Sequence, residues 1–204
     1  MESQTQSLKI ATNLPNTDKR ETLRMAVVGR VGCGKSTIVR KLARAALEQH
    51  RRVLVLTGHD NEWLDLPMVH PRFPERIASY VGGRRIIVTG RKSAYEAIRL
   101  FRNGLLILDD CRMFLPPYPD TDLENLVIST RQKDIDLIVV CHGFSQLPPV
   151  FFTFVDYFVL FGTRGNIVDR KNYFQDFKII QEVVRDVNEL SKSDPHTFKI
   201  IKNE

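Results

Sequence analysis

The sequence has few cysteines, no long apolar run and no sign of a secretory leader. Its three cysteines, Cys33, Cys111 and Cys141, are an odd number and lack metal-ligand spacing, which argues against a disulfide framework. No apolar run approaches the roughly 18 to 20 residues that a membrane-spanning helix needs. The N-terminus also lacks a basic segment followed by an apolar one. We therefore expect a soluble, reduced, intracellular protein without a transmembrane segment.

Length and composition favour one globular domain. The chain has 204 residues, 43% of them hydrophobic and 26% charged, which is enough to bury a full core. The formal net charge of +6 suggests a polyanionic partner, but the basic residues are spread along the chain, so this evidence for nucleic acid is weak. Residues 1–22 are polar and are predicted to form a flexible arm, with the folded domain at 23–204.

A glycine-rich segment after the first apolar run carries the most specific signal. Gly29, Gly34, Lys35 and Ser36 match the P-loop pattern G-x-x-x-x-G-K-[ST]. Glycines let backbone N–H groups curl around phosphate oxygens, the following helix adds partial positive charge, and the lysine reaches the β- and γ-phosphates. The serine hydroxyl would bind Mg²⁺. The predicted nucleotide-binding residues are Gly29, Arg30, Val31, Gly32, Cys33, Gly34, Lys35, Ser36 and Thr37.

Apolar runs that are typical of buried strands alternate with segments of helical periodicity. Strands are predicted at residues 25–28, 52–57, 85–89, 104–110, 136–141, 157–161 and 198–201. Helices are predicted at 35–50, 93–101, 122–131 and 174–190, the second with Ser93 as its N-cap. This alternation predicts an α/β fold with a mostly parallel central sheet flanked by helices, and a closing antiparallel strand at an edge.

An acidic pair follows the fourth predicted strand. Four apolar residues precede Asp109 and Asp110, as in a Walker B segment. Asp109 would hold Mg²⁺ through water, and Asp110 would orient or deprotonate the attacking water. Acidic pairs are also common in turns and helix caps, but the P-loop upstream favours the functional interpretation. Glu62, just beyond the second strand, is an alternative catalytic base.

Together these motifs resemble a known family. The P-loop, then Leu-Leu-Ile-Leu-Asp-Asp at 105–110, then Ser-Thr-Arg-Gln-Lys-Asp-Ile-Asp-Leu-Ile-Val-Val-Cys-His at 129–142, resemble the FtsK–HerA branch of P-loop ATPases. Within that branch the chain looks most like viral genome-packaging ATPases. The resemblance implies a three-layer P-loop NTPase fold of the RecA and FtsK–HerA type.

The resemblance also implies two further catalytic residues. In this family an arginine on the helix before the sensor strand reaches a neighbouring subunit's nucleotide, and a glutamine at the end of that strand senses the γ-phosphate. The matching positions are Arg131 and His142. His142 departs from the family's glutamine, and Asp110 stands where relatives usually have glutamate. An exposed helix-end arginine and a hydrogen-bonded strand-end histidine are the ordinary alternatives.

The function implied is an Mg²⁺-dependent ATPase motor that moves double-stranded DNA into a viral capsid, in the host cytoplasm or at the virion. The implied cofactors are ATP and Mg²⁺. The implied partners are duplex DNA, capsid vertex proteins and further copies of the chain, which would form a ring, with a hexamer as one candidate size. The alternatives are a filamentous-phage assembly ATPase resembling zonula occludens toxin, a nucleotide kinase with Arg164 and Arg170 in its lid, or a nucleotide-dependent switch.

Overall fold

The computed structural model describes residues 21–70, 72–165, 167–174 and 176–203. The predicted arm at residues 1–22 falls almost wholly outside them. The strands are β1 Arg24–Val28, β2 Arg52–Thr57, β3 Gly83–Ile87, β4 Gly104–Leu108, β5 Ile135–Cys141, β6 Tyr157–Phe161 and β7 Phe198–Lys202. The α-helices are α1 Lys35–Glu48, α2 Arg91–Leu100, α3 Thr121–Gln132, α4 Pro149–Phe154 and α5 Phe177–Leu190. Short 3₁₀-helices lie at Pro74–Ala78, Cys111–Met113, Phe144–Gln146 and Val168–Tyr173.

The strands of the described residues form one sheet in the order β3-β2-β4-β5-β1-β6-β7. All neighbouring pairs are parallel except the last, in which β7 runs antiparallel to β6 at the sheet edge. Parallel neighbours require crossover connections, and the helices between the strands provide them. The mostly parallel sheet and its antiparallel closing edge are as predicted.

Side chains alternate along the central strands between two apolar cores, one on each face of the sheet. On β2, for example, Leu54 and Leu56 face the core that α2 to α5 cover, whereas Val53 and Val55 face the core under α1. Because both faces are covered, the strands are continuous apolar runs rather than alternating polar ones. The result is a three-layer arrangement with the sheet in the middle.

Several local predictions are wrong. Helix α2 begins at Arg91 with Gly90 as its N-cap, so Ser93 is not the cap; its hydroxyl donates to Gly90 O at 2.9 Å instead. Strand β3 is shifted two residues towards the N-terminus, and α5 begins three residues later than predicted. Helix α4 was missed because it is six residues long, although Pro149 in its first turn is a known start signal. No helix among the described residues is long and apolar enough to cross a membrane.

Candidate nucleotide site

The predicted phosphate loop, acidic pair and sensor strand meet at one edge of the sheet. The loop follows β1, the acidic pair follows β4, and His142 follows β5. Because β5 lies between β1 and β4, His142 is placed between Lys35 of the loop and the carboxylate of Asp110. Ligands of open α/β sheets bind at this edge, beyond the carboxyl ends of the strands.

The backbone of the loop is fixed to both neighbouring strands. Gly29 N donates to Cys141 O at 3.3 Å, and Arg30 N donates to Gly162 O at 2.9 Å. A Cβ at Gly29 would lie 2.4 Å from the Cβ of Phe161, so only glycine allows β6 to approach this closely. Gly32 and Gly34 have φ values of 79° and 94°, and such left-handed positions let successive N–H groups turn towards one anion.

Lys35 is buried at the first position of α1, and its ammonium has three acceptors. It donates to Gly29 O at 2.6 Å, Arg30 O at 2.8 Å and the His142 Nδ1 at 3.2 Å. Burial lowers the pKa of Lys35, while the nearby Asp109 and Asp110 act in the opposite direction. Since an ammonium has only three donors, a phosphate reaches Lys35 by displacing one of these acceptors.

His142 is held as a neutral imidazole. Burial, followed by the charge of Lys35, lowers its pKa below the usual value. Because Nδ1 accepts from Lys35, the contacts assign the ring proton to Nε2, which lies 3.6 Å from the Asp110 Oδ1. Its backbone N–H donates to the Gln146 Oε1 at 3.2 Å, which holds the backbone of His142 at the strand end.

Asp110 is buried in a strained turn and surrounded by cationic or potentially cationic groups. Its φ of 47° lies in the left-handed region, which aspartate adopts more readily than bulkier residues do. Its carboxylate lies 3.3 Å from the Arg112 Nε and 3.5 Å from the His59 Nε2. The buried Oδ1 makes no hydrogen bond of good geometry among the described residues, although the Arg112 Nε and the His142 Nε2 lie 3.3 and 3.6 Å from it. A carboxylate oxygen in that state is a strong acceptor for a water molecule.

Asp109 has a separate environment. Its Oδ2 accepts a 2.6 Å hydrogen bond from the indole N–H of Trp63. Burial raises the pKa of Asp109, and the Trp63 hydrogen bond opposes that effect. A buried carboxylate with raised proton affinity gains from a nearby cation, which would take the place of the proton.

The residues present fit a magnesium ion that is shared with a nucleotide. Ser36 is exposed in the first turn of α1, and Asp109 follows β4 at the same sheet edge. No group of three or more His, Cys, Asp or Glu among the described residues could hold a metal alone. Mg²⁺ is typically bound by one or two protein ligands together with water and substrate phosphates, so this donor set is of the expected kind.

Two cavities adjoin the phosphate loop. One, of about 260 Å³, is lined by Gly32, Gly34, Lys35, Ser36, Thr37 and His196. The other, of about 540 Å³, lies on the His142 side and is lined by Arg30, Val31, His142, Gly143, Ser145, Gln146, Arg164 and Gly165. The first lies where the P-loop pattern predicts a phosphate cradle, and the second lies beside it, past the end of β5.

Known proteins resemble the chain in structure but not in sequence. No protein-family model matches it, and no curated protein does. The genome packaging NTPase B204 from Sulfolobus turreted icosahedral virus 2 in complex with AMPPCP matches with a TM-score of 0.65 and 16% identity, over 90% of this chain and 98% of that one. The same protein in complex with ATP-gammaS matches with a TM-score of 0.64 and 14% identity, over 90% of this chain and 93% of that one.

The DNA-packaging ATPase B204 from Sulfolobus turreted icosahedral virus gives a TM-score of 0.61 at 14% identity, over 89% of this chain and 97% of that one. The chain has the P-loop NTPase fold of B204. The fold class predicted from the sequence is therefore confirmed, and so is the structural resemblance to a viral packaging NTPase. At this level of identity the likeness concerns the fold.

Arg131 lies far from the phosphate loop of its own chain. It is in the last turn of α3, before β5 begins, whereas the P-loop lies beyond the opposite end of the strands. The seven residues of β5 separate these edges by roughly 20 Å. The side chain is 61% exposed and lies 3.5 Å from the Asp156 carboxylate. If Arg131 contacts a nucleotide, as predicted, that nucleotide must be bound to another subunit.

The alternative base Glu62 is paired with an arginine. Its carboxylate accepts from the Arg40 Nη2 at 3.2 Å. Asp110, by contrast, lies beside His142. Of the two carboxylates, Asp110 is the better placed to act on a water beside the Lys35 end of the P-loop.

Sequence reasoning missed several residues of the P-loop NTPase site. They are His59 and Arg112 beside Asp110, Trp63 beside Asp109, Gln146 beside His142, and His196 beside Gly34. His59 could have been found, because it follows β2 at the same sheet edge. Trp63 and His196 lie in irregular segments with no motif, so only the tertiary structure reveals their contacts.

Proposed function

We propose that the protein is an Mg²⁺-dependent ATPase that moves double-stranded DNA into a viral capsid. The observation that carries the hydrolytic part is the chain of contacts from Lys35 through His142 to Asp110. It links the phosphate-binding loop to a buried carboxylate, one oxygen of which makes no hydrogen bond among the described residues. A carboxylate beside the loop is what activation of a water for hydrolysis requires.

Each residue has a distinct part in the proposed reaction. The Lys35 ammonium would give up its hydrogen bond to His142 and donate to the β- and γ-phosphates instead. The released imidazole could then form a hydrogen bond with the γ-phosphate or the attacking water. Asp110 would orient that water and accept its proton. Mg²⁺, held by Ser36 and Asp109 together with the phosphates, would neutralise the charge on the phosphate oxygens. Hydrolysis thus depends on positioning and electrostatics rather than on a covalent intermediate.

The DNA part of the proposal is supported by the structural likeness to B204, the DNA-packaging ATPase from Sulfolobus turreted icosahedral virus. The net charge of +6 agrees with a polyanionic partner. Translocation also requires several copies acting in turn, and the position of Arg131 at the opposite sheet edge agrees with a contact between neighbouring subunits. We therefore propose a homo-oligomeric ring in which Arg131 of one copy reaches the nucleotide of the next.

The kinase alternative is weaker. The Nη2 of Arg170 donates to Ser145 O at 2.8 Å and Pro117 O at 3.2 Å, so this side chain is committed to backbone carbonyls. Arg164 lines the larger cavity, but Arg170 does not. The alternative of a filamentous-phage assembly ATPase would use the same residues for hydrolysis, and no contact among the described residues favours it.

The deciding experiment compares phosphate release with no addition, with duplex DNA and with nucleoside monophosphates. A DNA motor should be stimulated by duplex DNA, a kinase should consume ATP with an acceptor nucleotide, and a switch should respond to neither. DNA binding should weaken steeply with salt and show little sequence preference, because a translocating motor holds the phosphate backbone. Strong preference for one short sequence that persists at high salt would contradict the proposal.

A further inference from the structure

Trp63 is the single tryptophan of the chain, and its backbone adopts a conformation that bulky residues rarely take. It lies in the irregular segment between β2 and β3, with a φ of 56° and only 2% of its surface exposed. Left-handed backbone at a large side chain is a true outlier and persists only where the surroundings impose it. Strain of this kind often marks a functional position.

The indole N–H points at the candidate metal ligand. Trp63 Nε1 donates to the Asp109 Oδ2 at 2.6 Å, which is short for a hydrogen bond from nitrogen. Among the described residues no donor reaches the other carboxylate oxygen, Oδ1. The hydrogen bond therefore fixes the carboxylate rotation and leaves one oxygen for a cation or its water shell.

The ring of Trp63 is also tied to the helix that carries the phosphate loop. The guanidinium carbon of Arg40 lies 4.3 Å from the ring centroid. Arg40 in turn pairs with Glu62 at 3.2 Å and Asp65 at 2.9 Å, which flank Trp63 in sequence. Arg40 is one turn after Ser36 on α1, so Trp63 contacts Asp109, one candidate Mg²⁺ ligand, and the helix that carries the other.

We propose that Trp63 positions Asp109 for the nucleotide-bound metal ion, so that the segment between β2 and β3 sets the Mg²⁺ affinity of the site. This inference rests on the proposed function only in assuming an Mg²⁺–nucleotide complex. Because Trp63 would act through Asp109, replacing it should change how nucleotide binding depends on Mg²⁺. Nucleotide binding without metal should stay unaltered.

The test is binding of a fluorescent ATP analogue, followed by anisotropy in EDTA and during titration with MgCl₂. Trp63→Phe keeps an aromatic ring and removes the donor. We expect unchanged binding in EDTA and about a tenfold increase in the Mg²⁺ concentration for half-maximal tightening, the size of one hydrogen bond to a charged group. Leu64→Ala, at the exposed neighbouring position, is the matched control and should behave as the parent does.

A second variant guards against misfolding of Trp63→Phe. Because the chain has one tryptophan, biosynthetic incorporation of benzothienylalanine replaces only this indole and exchanges its N–H for sulfur at constant shape. The same tenfold shift is expected. An unchanged Mg²⁺ dependence in this protein, or an equal loss of binding in EDTA, would overturn the positioning role while the proposed function stands. A parent protein whose nucleotide binding never responds to Mg²⁺ would overturn both.

Discussion

Arg131→Ala is expected to bind ATP almost normally and to lose hydrolysis by a factor on the order of 10³ to 10⁵, as arginine fingers supply elsewhere. Binding should survive because the P-loop, with Lys35 at the start of α1, is unaltered. Arg131 lies at the other sheet edge, roughly 20 Å away along β5. A loss of hydrolysis therefore cannot come from a direct contact of Arg131 with the nucleotide bound to its own chain.

The structure also predicts that this change costs little stability. Arg131 is 61% exposed, and its 3.5 Å contact with Asp156 is a surface ion pair, a kind that contributes about 0 to 1 kcal/mol. For a chain of this size the thermal midpoint should fall by no more than about 2 to 4 °C. Lys133→Ala removes a charge two residues away and is the matched control, which should keep full hydrolysis.

Mixed assemblies test the subunit boundary. Arg131→Ala and Lys35→Ala proteins should each be inactive, but a titration of one with the other should restore some phosphate release. An interface in a mixed ring can pair the intact P-loop of one copy with the intact arginine of another. Mixed rings confirmed by electron microscopy that stay at the baseline rate would refute the role of Arg131.

The remaining predictions concern the site itself. Lys35→Ala should abolish productive ATP binding in a direct binding assay, because the loop loses the ammonium that would hold the β- and γ-phosphates. Unchanged hydrolysis would contradict the P-loop assignment. Asp109→Asn should raise the Mg²⁺ requirement for nucleotide binding, whereas Asp110→Asn should bind ATP without hydrolysing it. If Asp110→Asn turns over at the parent rate, Glu62→Gln becomes the next variant to measure. The pKa of His142 is lower in the folded chain than in the unfolded chain, whose histidine titrates at about pH 6.5. As the pH falls below that value, His142 therefore binds a proton more readily in the unfolded chain. Its contribution to stability is present above about pH 6.5 and is lost as the pH falls through the folded pKa. His142→Gln should therefore flatten the decline of the unfolding free energy on acidification, as measured by urea denaturation at several pH values.

The sequence alone determined the elements that depend on local patterns. The phosphate loop was predictable because its glycines and lysine act within nine consecutive residues. The buried strands were predictable because a parallel sheet covered on both faces requires continuous apolar runs. Errors appeared where local signals compete, as at Ser93, which resembles a helix cap but bonds back to Gly90 inside the first turn of α2.

Only the tertiary structure decided which side chains meet at the site. The strand order places β5 between β1 and β4, and this brings His142 between Lys35 and Asp110. Because β1 and β5 are parallel, Arg131, which precedes β5, lies at the opposite sheet edge from the P-loop, which follows β1. Trp63 reaches Asp109 across 46 residues of sequence. Such contacts follow from long-range strand pairing and loop packing, which leave no periodic signal in the sequence, so the partners of a catalytic carboxylate could not be derived from its neighbours along the chain.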